Sequence, residues 1–127
     1  MVKFFSAEFF AQIQVGLSND PKWQEDTKAL RTSVKLTSTG QPEAAAYLLR
    51  VEEGMTTISQ SEPAAQAEFS FEGSYDTWTK VAKGEVDLQA AVLKGLLKFK
   101  GSITKILMYK DRFLAIVRVM RSIPVEF

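Results

Sequence analysis

A chain of 127 residues is long enough for one hydrophobic core and short for two, so the sequence predicts a single domain over residues 1–127. Its 46% hydrophobic and 24% charged residues are those of a soluble globular protein, and no apolar run approaches the roughly 20 residues of a membrane-spanning helix. With no His and no Cys, imidazole and thiolate nucleophiles, imidazole general bases and thiolate zinc sites are excluded, and the expectation is no catalytic residue, no metal and no cofactor.

The formal charge is +1, but it is unevenly distributed: 6 Lys/Arg stand against 11 Asp/Glu up to residue 79, and 10 against 4 beyond it. A basic C-terminal third reads first as a solvated helical face and second as a weak attraction to anionic membrane surfaces. The opening MVKFFSAEFF contains Glu8 and no small-residue cleavage pattern, so no secretory signal is expected. Together with the missing cysteines this points to a cytoplasmic setting.

Along the chain, Ser6 can cap a helix over 6–18 that carries Phe9, Phe10, Ile13 and Leu17 at helical spacing. Asp20-Pro21 then opens a second, short helix with Trp23, Thr27 and Leu30 to one side. From Arg31 the period becomes two, with Thr32, Val34 and Leu36 alternating against Ser33, Lys35 and Thr37 until Gly40-Gln41-Pro42. Runs at 45–52 and 55–59, separated by Glu53-Gly54, complete a predicted antiparallel meander, and 65–72 reads as a fourth strand with Phe69 and Phe71 on one face.

After Gly73 the helical period returns, with Trp78, Val81 and Ala82 facing inward up to Lys83-Gly84. Asp87 can cap the next helix, whose stripe is Leu88, Ala91, Val92 and Gly95, and 97–100 reads as a fifth strand. From Ser102 one long helix is expected as far as residue 121, apolar over about half its circumference, followed by a tail that Pro124 keeps out of the helix. Such an arc, continued by Ile123, Val125 and Phe127, predicts that this region closes a cavity or joins a partner chain.

An α+β chain of this order, with helices on one sheet face, can hold a cavity at the sheet–helix interface. Its walls would come from Phe69, Phe71, Trp78, Leu88, Val92, Leu93, Leu97, Phe99, Ile103, Ile106, Leu107 and Phe113. Periodicity does not separate such a cavity from a packed core, because both call for the same residue types. Lys110 falls inside the last helix's apolar arc, where it snorkels to water or meets an anionic head group.

The ordered pieces Phe69-Ser70-Phe71-Glu72-Gly73, Tyr75 to Trp78, Gly84-Glu85, Leu88 to Gly95 and Leu97-Lys98-Phe99-Lys100-Gly101 resemble the sterol carrier protein 2 family. The resemblance implies a five-stranded, mostly antiparallel sheet covered on one face by helices. It also implies an apolar tunnel for a lipid, fatty acid or sterol, lined by the residues named above. The chain departs from the family in lacking a Ser-Lys-Leu-type ending and in its longer last helix. Non-catalytic lipid binding or transfer is the first functional expectation, and a protein-interaction or homodimer module using the last helix is the alternative. An enzyme acting on hydrophobic substrates is disfavoured, because Glu68 and Glu72 alternate away from Phe69 and Phe71. No nucleic-acid partner is expected, since the basic residues follow no recognition motif.

Overall fold

The structure is a computed structural model that describes residues 1–40 and 44–127. The Gln41-Pro42 break expected from the sequence lies outside the described residues. In chain order the elements are β1 (Val2–Lys3), α1 (Ala7–Ser18), α2 (Pro21–Thr27), β2 (Arg31–Thr39), β3 (Ala45–Glu52), β4 (Met55–Ser61), β5 (Phe69–Ser74), α3 (Tyr75–Ala82), α4 (Leu88–Leu93), β6 (Leu97–Lys100), α5 (Ile103–Met108), α6 (Lys110–Ser122) and β7 (Val125–Glu126).

Five strands form one sheet in the order β4-β3-β2-β5-β6. All neighbours are antiparallel except β2 and β5, which run parallel. The register explains how a short link achieves this. Ser61 stands level with Ala46, and Ala46 with Thr37, whereas Phe69 stands level with Val34, so the link over 62–68 drops only three residues while crossing two strands. Lys35 alternates away from Val34 and Leu36, is buried, and donates from Nζ to the carbonyls of Pro63 and, at 2.7 Å, Ala65. The link therefore crosses the sheet face opposite the helices, fastened by a lysine from the central strand.

Capping follows local chemistry. Ser6 Oγ accepts from Phe9 N at 3.2 Å, Asp20 Oδ1 from Lys22 N at 3.0 Å, and Ser74 Oγ from Thr77 N at 3.1 Å. Asp87 occupies the cap position of α4 without a capping hydrogen bond and turns toward Arg121 at 3.7 Å. The fourth strand starts at Phe69 and not at Ala65, because 62–68 is spent on the crossover.

One continuous core joins the helices to the face bearing Val34, Leu36, Tyr47, Leu49, Val51, Phe69 and Phe71. Its N-terminal end is aromatic: Phe10 stacks on Tyr47 with ring centroids 4.1 Å apart, and Phe5 packs against Trp78 at 5.6 Å. The expected single long helix is two helices, broken at Tyr109 (φ −101°, ψ 15°). Arginines anchor α6 to the rest of the fold. Arg112 donates to Asp26 O at 3.0 and 2.8 Å, Arg118 to Asp20 Oδ2 at 2.7 Å, and Arg121 to Val81 O at 3.0 Å. Helix α5 buries no residue.

The tail also differs from expectation. Val125 and Glu126 pair in parallel with Val2 and Lys3, and the Phe127 ring lies 5.0 Å from that of Phe4. It ties the two ends of the chain together.

Candidate functional site

The motif glycines of β5 and β6 are set by close approach. A Cβ on Gly73 would overlap Leu97 Cδ2 and lie 3.0 Å from the Leu96 carbonyl oxygen, so the two strands meet here only without a side chain. Gly101 has φ +143° and would place a Cβ 2.8 Å from the Phe69 ring, a conformation and a space that favour glycine. These two positions bring the edge strand against β5 and turn the chain from β6 into α5, over the helical side of the sheet.

Between α4, β6, α5 and the start of α6 lies an open cavity of about 350 Å³, within the roughly 300–1,000 Å³ range of small-molecule sites. Phe71, Leu88 and Phe113 form its floor and are buried. Val92, Phe99 and Ile106 form half-buried walls. The rim is exposed: Leu93 is 87% exposed, Ile103 72% and Leu107 66%, with Leu114 beside them. Among the described residues Gln89 and Lys110 are the only polar ones lining it.

Beneath this floor the core holds voids of only about 10 Å³. The apolar surplus of the chain is thus divided between the interior and this apolar hollow. Nine of the twelve residues expected to form walls line the cavity. Phe69, Trp78 and Leu97 do not; they belong to the core. Phe69 packs under Phe113 at 5.3 Å, Leu97 fills the space left at Gly73, and Trp78 donates from Nε1 to the Thr37 carbonyl at 2.8 Å. The tryptophan needs a hydrogen-bond partner when buried, and a backbone carbonyl of the central strand supplies it.

Three lining residues were outside the expected walls: Gln89, Lys110 and Leu114. Their signal was present in the spacing. Gln89 precedes Val92 and Leu93 by three and four positions, and Lys110 and Leu114 continue the run from Ile103, Ile106 and Leu107 across the break at Tyr109. Polarity kept Gln89 out of the expected walls, whereas Lys110 was already expected as a head-group contact and Leu114 as part of the same apolar arc.

Among the described residues no acidic side chain lines the cavity. Asp76 pairs with Lys80 at 3.3 Å, Asp87 faces Arg121, and Glu68 Oε1 accepts from Thr32 Oγ1 at 3.0 Å. Among the described residues no group of three or more acidic side chains could hold a metal ion, and no helix is long and apolar enough to cross a membrane.

The fold is that of solved sterol carrier proteins. A sterol carrier protein 2 crystal structure is 22% identical, with a TM-score of 0.84, covering 96% of this chain and 100% of that one. A conserved hypothetical protein from Thermus thermophilus is 22% identical with a TM-score of 0.77, covering 99% of this chain and 93% of that one. Sterol carrier protein 2 from Aedes aegypti, solved in complex with the C16 fatty acid palmitate, is 16% identical with a TM-score of 0.57, covering 85% and 93%. No curated protein matches the chain by sequence. The SCP-2 sterol transfer family matches residues 10–113, which is most of the length, and the chain belongs to that family.

Proposed function

We propose that this chain is a non-catalytic cytoplasmic carrier that binds a fatty acyl chain, a sterol or a phospholipid tail in the cavity between α4, β6, α5 and α6. The observation that carries this reading is the convergence of ten apolar side chains on one open hollow, above two core voids of only about 10 Å³ each. Covering such surface is favourable by about 0.8 kcal/mol per methylene removed from water. Because one methylene more or less changes affinity by only about 1–3 kcal/mol, the carrier discriminates weakly among chain lengths. Lys110 and Gln89 supply the polar contacts, and they suit the carboxylate or phosphate end of an amphiphile whose tail fills the hollow. Weak contact with an anionic membrane, from which such ligands are drawn, belongs to the same reading.

Burial of Phe113, Ala115, Ile116, Val117, Val119 and Met120 within the chain itself speaks against the homodimer alternative on α6, whereas Ile103, Leu107 and Met108 of α5 stay exposed. Native mass spectrometry of the protein mixed in turn with palmitate, cholesterol and phosphatidylcholine tests the proposal. One ligand per chain is expected for at least one of them, lost in Phe99→Glu while the circular dichroism spectrum is kept. Absence of a saturable adduct with all three would refute it.

A further inference from the structure

Between Asp87 and Asp111 the chain carries five lysines and no acidic residue. The same stretch builds the cavity. Of the ten exposed large hydrophobic residues among those described, Leu93, Leu96, Ile103, Leu107 and Met108 fall within it and Leu114 lies just beyond. The other four, Met1, Val15, Met55 and Phe127, are dispersed over the termini, α1 and β4. Exposed apolar side chains thus concentrate on the lysine-rich stretch that builds the cavity, where Glu68, 3.9 Å from Lys105, is the acidic side chain paired with a rim lysine. Lys94 and Lys105 are exposed on the elements that form the rim, Lys105 with its side chain half-exposed beside Glu68, and Lys110 lines it. Lys98 and Lys100 alternate to the far side of the edge strand, where Glu72 is the cross-strand partner of Lys98, so they add less to this face.

We propose that the face formed by α4, the 94–96 turn and α5 is the docking surface for an anionic lipid bilayer, placing the cavity mouth against the membrane. Charge complementarity selects this partner: a cationic rim is attracted to anionic head groups, while Leu93, Leu96, Ile103 and Leu107 enter the acyl boundary. Helix α5, which buries no side chain and supplies three of the lining residues, then lies between ligand and bilayer. This inference rests on the carrier reading for its direction of transfer, and its test separates the two.

The experiment is vesicle co-sedimentation with the whole chain, comparing phosphatidylcholine vesicles with and without phosphatidylserine. A rim variant, Lys94→Gln/Lys105→Gln/Leu96→Gln, alters no cavity-lining residue. A control variant, Lys3→Gln/Lys28→Gln, removes the same charge elsewhere. Wild type should bind the anionic vesicles and release them as salt is raised. The rim variant should lose affinity by about fivefold per lysine, with a further loss from Leu96, while its palmitate affinity in solution is retained. The control should bind vesicles at least tenfold more tightly than the rim variant.

Equal vesicle affinities for rim and control variants, binding indifferent to phosphatidylserine, or a wild-type dimer that the rim variant dissociates would each overturn the proposal. A rim variant that loses palmitate affinity in parallel would overturn it too. If wild type docks as expected but takes up no lipid ligand in solution, the docking face stands and the carrier reading fails.

Discussion

Truncating Leu93 and Leu107 to alanine should separate ligand binding from folding. Both side chains are largely exposed at the rim, so neither holds the fold together. Removing three carbons from each at about 0.8 kcal/mol per group would cost about 2.4 kcal/mol of ligand affinity if the ligand covers the leucine fully. That limit corresponds to about a fiftyfold rise in Kd for each substitution, and half coverage to about sevenfold. Stability of the ligand-free protein should change by less than about 0.5 kcal/mol. Leu97→Ala is the mirror case: this side chain is 1% exposed and does not line the cavity. Its loss should cost about 2–5 kcal/mol of stability and leave Kd within about threefold. Urea unfolding and displacement of a fluorescent fatty acid measure the two quantities on the same samples. The reasoning fails if Leu93→Ala and Leu107→Ala unfold as easily as Leu97→Ala, or if neither changes Kd.

Gly73→Ala should destabilise by about 1–3 kcal/mol, because its Cβ would overlap Leu97 and crowd the Leu96 carbonyl; wild-type urea stability would refute that close approach. Removing residues 123–127 deletes the pairing with Val2 and Lys3 and the Phe127–Phe4 contact, so it should cost about 2 kcal/mol while leaving mass in solution and ligand off-rate unchanged. A faster off-rate, measured by stopped flow, would restore the tail as a lid. At Asp20, burial alone would raise the carboxyl pKa, but the Trp23 and Lys22 amides and the Arg118 guanidinium outweigh it and hold the pKa below the usual value. The stability this carboxylate contributes is therefore fully present above the unfolded-state pKa and is lost as pH falls through the folded one. Asp20→Asn keeps a capping side chain, so its deficit relative to wild type should shrink as acid unfolding proceeds; a deficit constant with pH would contradict this.

How much was legible in the sequence differs from element to element. The alternation in β2 and β3 and the caps at Ser6 and Asp20 are local signals, and the structure follows them closely. The parallel pairing of β5 with β2 is not local: it depends on a short crossover held by Lys35, whose burial gives no pattern in its own neighbourhood. The break at Tyr109 was hidden because Ile103, Ile106, Leu107, Lys110, Phe113 and Leu114 keep helical spacing through it. The wall residues were read as one pool because an aromatic strand facing helices looks the same whether filled or open. Trp78, Phe69 and Leu97 were separable from the cavity only by tertiary facts, namely the Thr37 carbonyl, the Phe113 ring and the missing side chain at Gly73.

The central claim is that a hydrophobic ligand occupies the hollow beneath α5, and amide NMR with ¹⁵N-labelled protein tests it most directly by locating the ligand. Titration with palmitate should give saturable shifts concentrated at Val92, Phe99, Ile106, Leu107 and Lys110, with Val15 and Met55 unmoved. Saturable shifts centred away from α4, β6 and α5, or no saturable shift with palmitate, cholesterol or a lysophospholipid, would contradict the account.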